Sequence, residues 1–187
     1  MAIRVYIDQG HNPQNPNAGA EGSGYREQDL VYRIGVELFS LLQNDPNYTA
    51  RLSRPTPNTT IGTSNASSLR LRVEDANSWG ANLFLSLHTN ASSNPSATGS
   101  EALVYSETTP AYSIGENILR ELTRITGLRN RGVKLRPGLY VLRRTAMPAV
   151  LVELGFITNQ SDADLMANNP ALFARGIYEG LNDYYVF

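Results

Sequence analysis

Short strand-like apolar runs alternate along this chain with segments of helical period, and that alternation limits the fold more than any other feature. Residues 3–7, Ile-Arg-Val-Tyr-Ile, have the pattern of a strand. From Glu27 to Gln43 the residues Leu30, Val31, Ile34, Leu38, Leu41 and Leu42 recur at helical spacing. Residues 49–53 suit a second strand. A helix is expected from about Leu69 to Trp79, with Leu69, Val73 and Ala76 on one face and Gly80 placed as a C-cap. Residues 83–87 form a buried-type strand ending at His88, and residues 102–105 another strand. Ile114, Ile118, Leu119, Leu122 and Ile125 mark a helix that Gly127 ends. Residues 139–142 and 149–152 are expected as strands, and short helices near 162–168 and 171–184 close the chain. Residues 9–25, 55–68 and 89–100 are polar and rich in Gly, Asn, Pro or Ser, the composition of loops. The pattern implies an α/β fold: a single-domain, mostly parallel or mixed twisted sheet flanked by helices on both faces.

Composition narrows the function classes. A length of 187 residues suits one domain spanning 1–187. Apolar residues make up 41% of the chain, enough for a real core, and charged residues 18%. The net charge of −1 gives no drive toward phosphate backbones, so nucleic acid is not an expected partner. With no cysteine, disulfide frameworks, cysteine zinc sites and thiol nucleophiles are all excluded. No apolar run approaches the roughly 18 residues of a membrane span. Met1-Ala2 leads directly into the first strand, so a signal peptide is not expected within these residues. Of 16 basic residues only Lys134 is lysine, a bias to which the sequence alone attaches no function.

Four residues stand out chemically. The only two histidines, His11 and His88, both follow strand-like runs. Ligands of open α/β sheets bind beyond the carboxyl ends of the strands. One histidine there is most simply a satisfied polar residue; two of two weaken that explanation. Glu153 interrupts the apolar run Pro148-Ala-Val-Leu-Val-Glu-Leu-Gly-Phe-Ile157. A carboxylate buried there needs a cation, a metal or a retained proton; the bland alternative is an ion pair with Arg143 or Arg144. Glu27 opens a helix, where a carboxylate ordinarily complements the helix dipole, and Glu21 is a rival in the same loop. Two imidazoles and one carboxylate suit a catalytic zinc that keeps an open position for water. A second, unligated carboxylate then serves as general base and proton donor. The competing chemistries lack their motifs: no Gly-x-Ser-x-Gly, no Walker loop, no Gly-x-Gly-x-x-Gly after the first strand and no His-Glu-x-x-His.

These residues resemble the zinc-dependent N-acetylmuramoyl-L-alanine amidases of the Amidase_3 type. The likeness rests on Ile7-Asp-Gln-Gly-His11, Gly24-Tyr-Arg-Glu27-Gln-Asp29, Arg72-Val-Glu-Asp-Ala-Asn77, Ser86-Leu-His88-Thr-Asn-Ala91 and Pro148 through Phe156, which occur in the family's order. Arg131-Gly-Val-Lys134, Thr158-Asn159 and Asp162 extend it. The resemblance implies one zinc ion on His11, Glu27 and His88, with Glu153 as catalytic acid and base. It also implies hydrolysis of the amide between N-acetylmuramic acid and L-alanine of the peptidoglycan stem peptide, at the cell wall or extracellularly. Asn90 follows as a substrate contact or, equally, a support of its loop. The chain departs from the family after His11, where Asn12-Pro-Gln-Asn-Pro16 opens a longer, stiffer loop in place of the usual glycine. Some division-linked members carry an inserted blocking helix. The interval between His88 and the 114–127 helix is too short for one, so an unblocked site, or regulation from outside the chain, is expected.

The competing functions are a zinc peptidase or carboxypeptidase, which needs an arginine clamp for a terminal carboxylate, a non-enzymatic wall-binding module, which predicts loss of a ligand or of the base, and a structural zinc site, which wants four protein ligands. The expected partner is peptidoglycan, and the expected state is a monomer.

Overall fold

The computed structural model describes residues 2–186; Met1 and Phe187 lie outside the described residues. A six-stranded mixed sheet forms the middle layer. Its strands are β1 (Ile3–Gln9), β4 (Tyr48–Leu52), β5 (Leu83–Asn90), β6 (Ser100–Val104), β7 (Asn130–Leu135) and β8 (Ala149–Phe156), in the order β4-β1-β5-β8-β6-β7. The four strands from β4 to β8 are mutually parallel, and β6 pairs antiparallel to β8. The ribbon of β2 (Glu21–Gly22) and β3 (Tyr25–Arg26) stands apart.

Helices cover both faces, as expected. The first face carries α1 (Glu27–Gln43), α3 (Pro110–Thr126), α5 (Gln160–Asn168) and α6 (Pro170–Tyr185) over Val5, Ile7, Leu83, Leu85, Leu87, Val150 and Val152. The second carries α2 (Asn65–Trp79) and α4 (Tyr140–Arg144) over Tyr6, Phe84, Leu103 and Leu151. Central parallel strands are buried on both faces, so β5 opens with Leu-Phe-Leu and β8 with Ala-Val-Leu-Val rather than with alternating patterns. Gly176 and Gly180 let α6 lie against α3, since a Cβ at Gly180 would stand 2.5 Å from the Ile118 Cα.

Helix ends follow local chemistry. Ser64 and Ser67 form a reciprocal capping box, which starts α2 at Asn65, four residues before the apolar pattern begins. Gly80 and Gly127 end α2 and α3 with left-handed backbone, φ 67° and 75°. Residues 139–142 differ from expectation: Leu139 is the N-cap of α4 and residues 140–142 lie within it, so no strand forms there. Four apolar residues carry no decisive period, and a single helical turn buries Val141 and Leu142 against the α2 side of the sheet.

The second face decides where chemistry can occur. Along each strand it holds every other residue. On β1 these are Tyr6 then Asp8, on β5 Phe84, Ser86, His88 and Asn90, on β8 Leu151 then Glu153. The face is apolar where α2 and α4 cover it and polar toward the carboxyl ends of β1, β5 and β8.

Candidate functional site

The site lies at those carboxyl ends, next to β1, where the order of the chain across the sheet reverses. His11 follows β1 with left-handed backbone, φ 67°. Arg72 on α2 holds this turn. Its Nη1 donates to the Gln9 carbonyl at 2.8 Å and its Nη2 to the His11 carbonyl at 2.6 Å. The guanidinium is buried and ion-paired with Asp8 Oδ1 at 2.5 Å, while Asp8 Oδ2 accepts the Ser86 hydroxyl at 2.7 Å. Burial opposes the Asp8 charge, but Arg72 keeps its carboxyl below the usual range. Asp8 thereby ties the His11 strand to the His88 strand. Asn12, buried, fastens the following loop to both the amide and the carbonyl of Ile61.

Glu27 is the first residue of α1, and the turn before it is fixed by the Glu27 amide on the Ala20 carbonyl at 2.9 Å. Its carboxylate points back toward the sheet. Oε1 meets His88 Nδ1 at 3.1 Å and accepts the Thr89 amide at 2.9 Å. Oε2 meets His11 Nε2 at 3.2 Å and accepts the Ala20 amide at 2.9 Å. Burial alone would raise this carboxyl; hydrogen bonds to both histidines hold it well below the ordinary range. The same carboxylate raises His88 against its burial. The imidazoles lie edge to face, 4.8 Å between centroids.

His11, Glu27 and His88 offer ligand atoms within 4.8 Å of one another. His11 Nδ1 is buried without a partner among the described residues. Two nitrogens and one oxygen, three donors with room for a fourth, fit a catalytic rather than a structural zinc site. Glu21 is exposed on β2 and takes no part in the group.

Glu153 is the register partner of His88 on the adjacent strand, so both side chains rise from one face. Its Oε2 is buried and has no hydrogen-bond partner among the described residues. Burial pushes the carboxyl up to about 7, helped by Glu27 and Glu101 and opposed by His88 and Lys134. No ion pair joins it to Arg143 or Arg144 among the described residues; those arginines are the exposed end of α4. Asn90 Nδ2 donates to Glu101 Oε1 at 3.1 Å and its Oδ1 accepts the Ala91 amide, contacts that support the loop.

Residues 5–183 match the N-acetylmuramoyl-L-alanine amidase family. The chain belongs to the Amidase_3 family. It is 34% identical over 183 residues to N-acetylmuramoyl-L-alanine amidase CwlM of Bacillus licheniformis, an alignment covering 96% of this chain and 67% of that protein. It is 33% identical over 182 residues to the sporulation-specific N-acetylmuramoyl-L-alanine amidase of Bacillus subtilis strain 168, again covering 96% and 67%. The chain thus spans about two thirds of the length of these two relatives. The crystal structure of N-acetylmuramoyl-L-alanine amidase from Clostridium difficile 630 superimposes with a TM-score of 0.88 at 29% identity, covering 99% of this chain and 97% of that one. The sequence did not expose the Asp8–Arg72 pair or the Glu101 cluster, because their partners are 64 and about 30 residues apart. The one available signal was Asp8 in an apolar strand, the same argument that singled out Glu153.

Proposed function

We propose that this chain is a peptidoglycan amidase that cleaves the bond between N-acetylmuramic acid and L-alanine, with one zinc ion held by His11, Glu27 and His88. The carrying observation is the convergence of two imidazoles and one buried carboxylate beside a second carboxylate, Glu153, whose buried oxygen has no partner. Zinc bound there supplies Lewis acidity that polarises the scissile carbonyl and acidifies water. Glu27 orients both histidines through opposite oxygens and supplies the one anionic ligand. Arg72 and Asp8 fix the two strand ends from which the histidines project. Glu153 accepts the proton of the attacking water and returns it to the leaving nitrogen of L-alanine. Its raised pKa suits both halves of that exchange, since an acid–base group works best near the ambient pH.

A carboxypeptidase reading needs an arginine clamp free to take a terminal carboxylate; Arg72 is spent on Asp8 and backbone carbonyls, and Arg131 on Glu101, the Thr98 carbonyl and the Phe156 ring. The deciding experiment is digestion of purified peptidoglycan with and without chelator. The proposal expects new L-alanine amino ends, no new reducing ends, and loss of both release and rate after chelation. Reducing ends, or full activity without metal, overturn it. The site of action is the cell wall or the extracellular space, and the chain is proposed to act as a monomer.

A further inference from the structure

The polar row does not stop at Glu153. Glu101 on β6 is directly across from Glu153 in the β6–β8 register, so the two carboxylates share a face. Glu101 is buried and accepts from Asn90 Nδ2 at 3.1 Å, from Arg131 Nε at 3.0 Å and from Lys134 Nζ. Both cations come from the edge strand β7. Arg131 is further engaged, by the Thr98 carbonyl and by stacking 4.9 Å over the Phe156 ring. Lys134 is not. Among the described residues its ammonium bonds Glu101 alone, which leaves two of its three donors.

Two cations on one carboxylate carry a surplus positive charge. The carboxylate side chain is 6% exposed, whereas Arg131 and Lys134 are 28% and 33% exposed. The surplus therefore faces solvent beside Glu153. Arg131 and Asn90 already hold Glu101, so Lys134 is not required merely to satisfy it. It is also the only lysine in the chain.

We propose that Lys134, fastened by Glu101 and backed by Arg131, is an anion subsite that takes a peptide carboxylate of the substrate one or two residues beyond the scissile amide. The inference rests on the amidase reading. In a muramoyl peptide the lactyl carboxyl is consumed in the scissile bond, so nearby anionic groups belong to the peptide. Two strand spacings, about 10 Å, separate β8 from β7. An extended peptide spans roughly 3.5 Å per residue, and the lysine reaches inward toward Glu101. A carboxylate on the residue after L-alanine falls within that reach.

The test compares two muramoyl dipeptides that differ only in whether the second residue's carboxylate is free or amidated. Binding is measured by calorimetry on the zinc-loaded Glu153→Gln variant. The subsite predicts about tenfold tighter binding of the free carboxylate, the size of one charge-assisted hydrogen bond. The preference is lost in the Lys134→Met, Glu153→Gln protein, largely kept with Lys134→Arg, and reduced by salt. Chemical modification gives a second route that leaves the fold untouched by mutation. Acetylation of the sole lysine should abolish the preference, and reductive dimethylation, which keeps the charge, should retain it. Equal affinity for the two dipeptides, or an equal loss for both when Lys134 is neutralised, overturns the subsite. Whether the unmutated enzyme releases L-alanine amino ends from either dipeptide is read separately, and failure there strikes the amidase reading.

Discussion

Gly10 gives the most direct test of how the fold sets the ligand geometry. It joins β1 to His11, and its amide donates to the Leu87 carbonyl at 3.0 Å. A Cβ at this position would lie 2.5 Å from His88 Cε1, 2.6 Å from His88 Nε2 and 2.7 Å from the Leu87 carbonyl oxygen. Comfortable contacts need about 3.5–4.0 Å, so relief requires a shift of about 1 Å. The Leu87 backbone belongs to the β1–β5 ladder and resists it. The His88 ring must move, and with it the 3.1 Å contact to Glu27. A displacement of this size costs about 100-fold in rate where reacting groups must align, and a disturbed ligand support costs roughly 10–100-fold in metal affinity. Overpacking adds about 1–3 kcal/mol of destabilisation, a melting temperature lower by roughly 3–10 °C for a chain of this size. The assay is zinc competition against a chromogenic chelator, together with thermal melting and peptidoglycan hydrolysis at saturating zinc. Gly138→Ala is the control, because nothing lies within 4 Å of its added Cβ. If Gly10→Ala binds zinc and turns over like the parent, His88 is not a ligand held in this position and the geometric reasoning fails.

Three other perturbations separate the roles within the site. Glu153→Gln should retain zinc, measured by elemental analysis, and lose about 100–10,000-fold in hydrolysis, because the base is not a ligand; loss of metal in this variant contradicts the assignment. The base works deprotonated, so the acid limb of kcat/KM should lie at or below about 7, where burial places Glu153 and from which a bound cation lowers it, and it should vanish in the variant. In metal-free protein the sign for stability is the reverse of an ordinary carboxylate: a folded pKa near 7 favours the neutral form, and its contribution is complete below about 4.5 and lost as pH rises through 7. Glu153→Gln should therefore gain about 2–3 kcal/mol on metal-free parent at pH 8 and little at pH 4, checked by urea unfolding. Asp8→Asn leaves Arg72 buried without its counter-charge and should cost about 3–5 kcal/mol in the same assay; an unchanged midpoint would show that the carbonyl contacts of Arg72 suffice.

What could be seen in the sequence depended on whether its signal was local. α1 and α3 carry long apolar stripes, and Gly80 and Gly127 mark helix ends without reference to the rest of the chain. The buried strands β5 and β8 open on apolar runs, Leu83–Leu85 and Ala149–Val152, so the ionisable residues that follow, His88 and Glu153, are conspicuous. β7 was invisible because it is an edge strand, half-exposed, with the composition Asn-Arg-Gly-Val-Lys-Leu. The β2–β3 ribbon pairs only two residues on each side within a glycine-rich loop. Residues 139–142 carry no decisive local signal, because one helical turn and one short strand bury the same number of apolar residues. The four candidate site residues, His11, Glu27, His88 and Glu153, are conspicuous in the sequence by their places at strand ends, at a helix start and within an apolar run, and by motif order. What holds them needed coordinates: the double donation of Ala20 and Thr89 amides to Glu27, and the grip of Arg72 on the His11 turn.

The disposition of charge explains why these carboxylates, among several buried ones, suit a dication. Asp8 is neutralised by Arg72, Glu101 by Lys134 and Arg131, and Asp162 is satisfied by the Thr98 hydroxyl and the amides of Gly99 and Phe156. Each therefore has little to gain from a further cation. Among the described residues, the Glu27 carboxylate bonds two imidazoles that can be neutral and two backbone amides, and Glu153 leaves one oxygen without a partner. A doubly charged ion beside these two carboxylates balances their combined charge, which offsets the cost of burying them. The antiparallel entry of β6 completes the arrangement. It brings the first residues of that strand, not its last, to the working end of the sheet, so Glu101 and its cations from β7 border Glu153 instead of lying at the far edge. A parallel β6 would bring its last residues there, and Leu103, which lies on the same face as Glu153, would give it an apolar neighbour with no cationic flank.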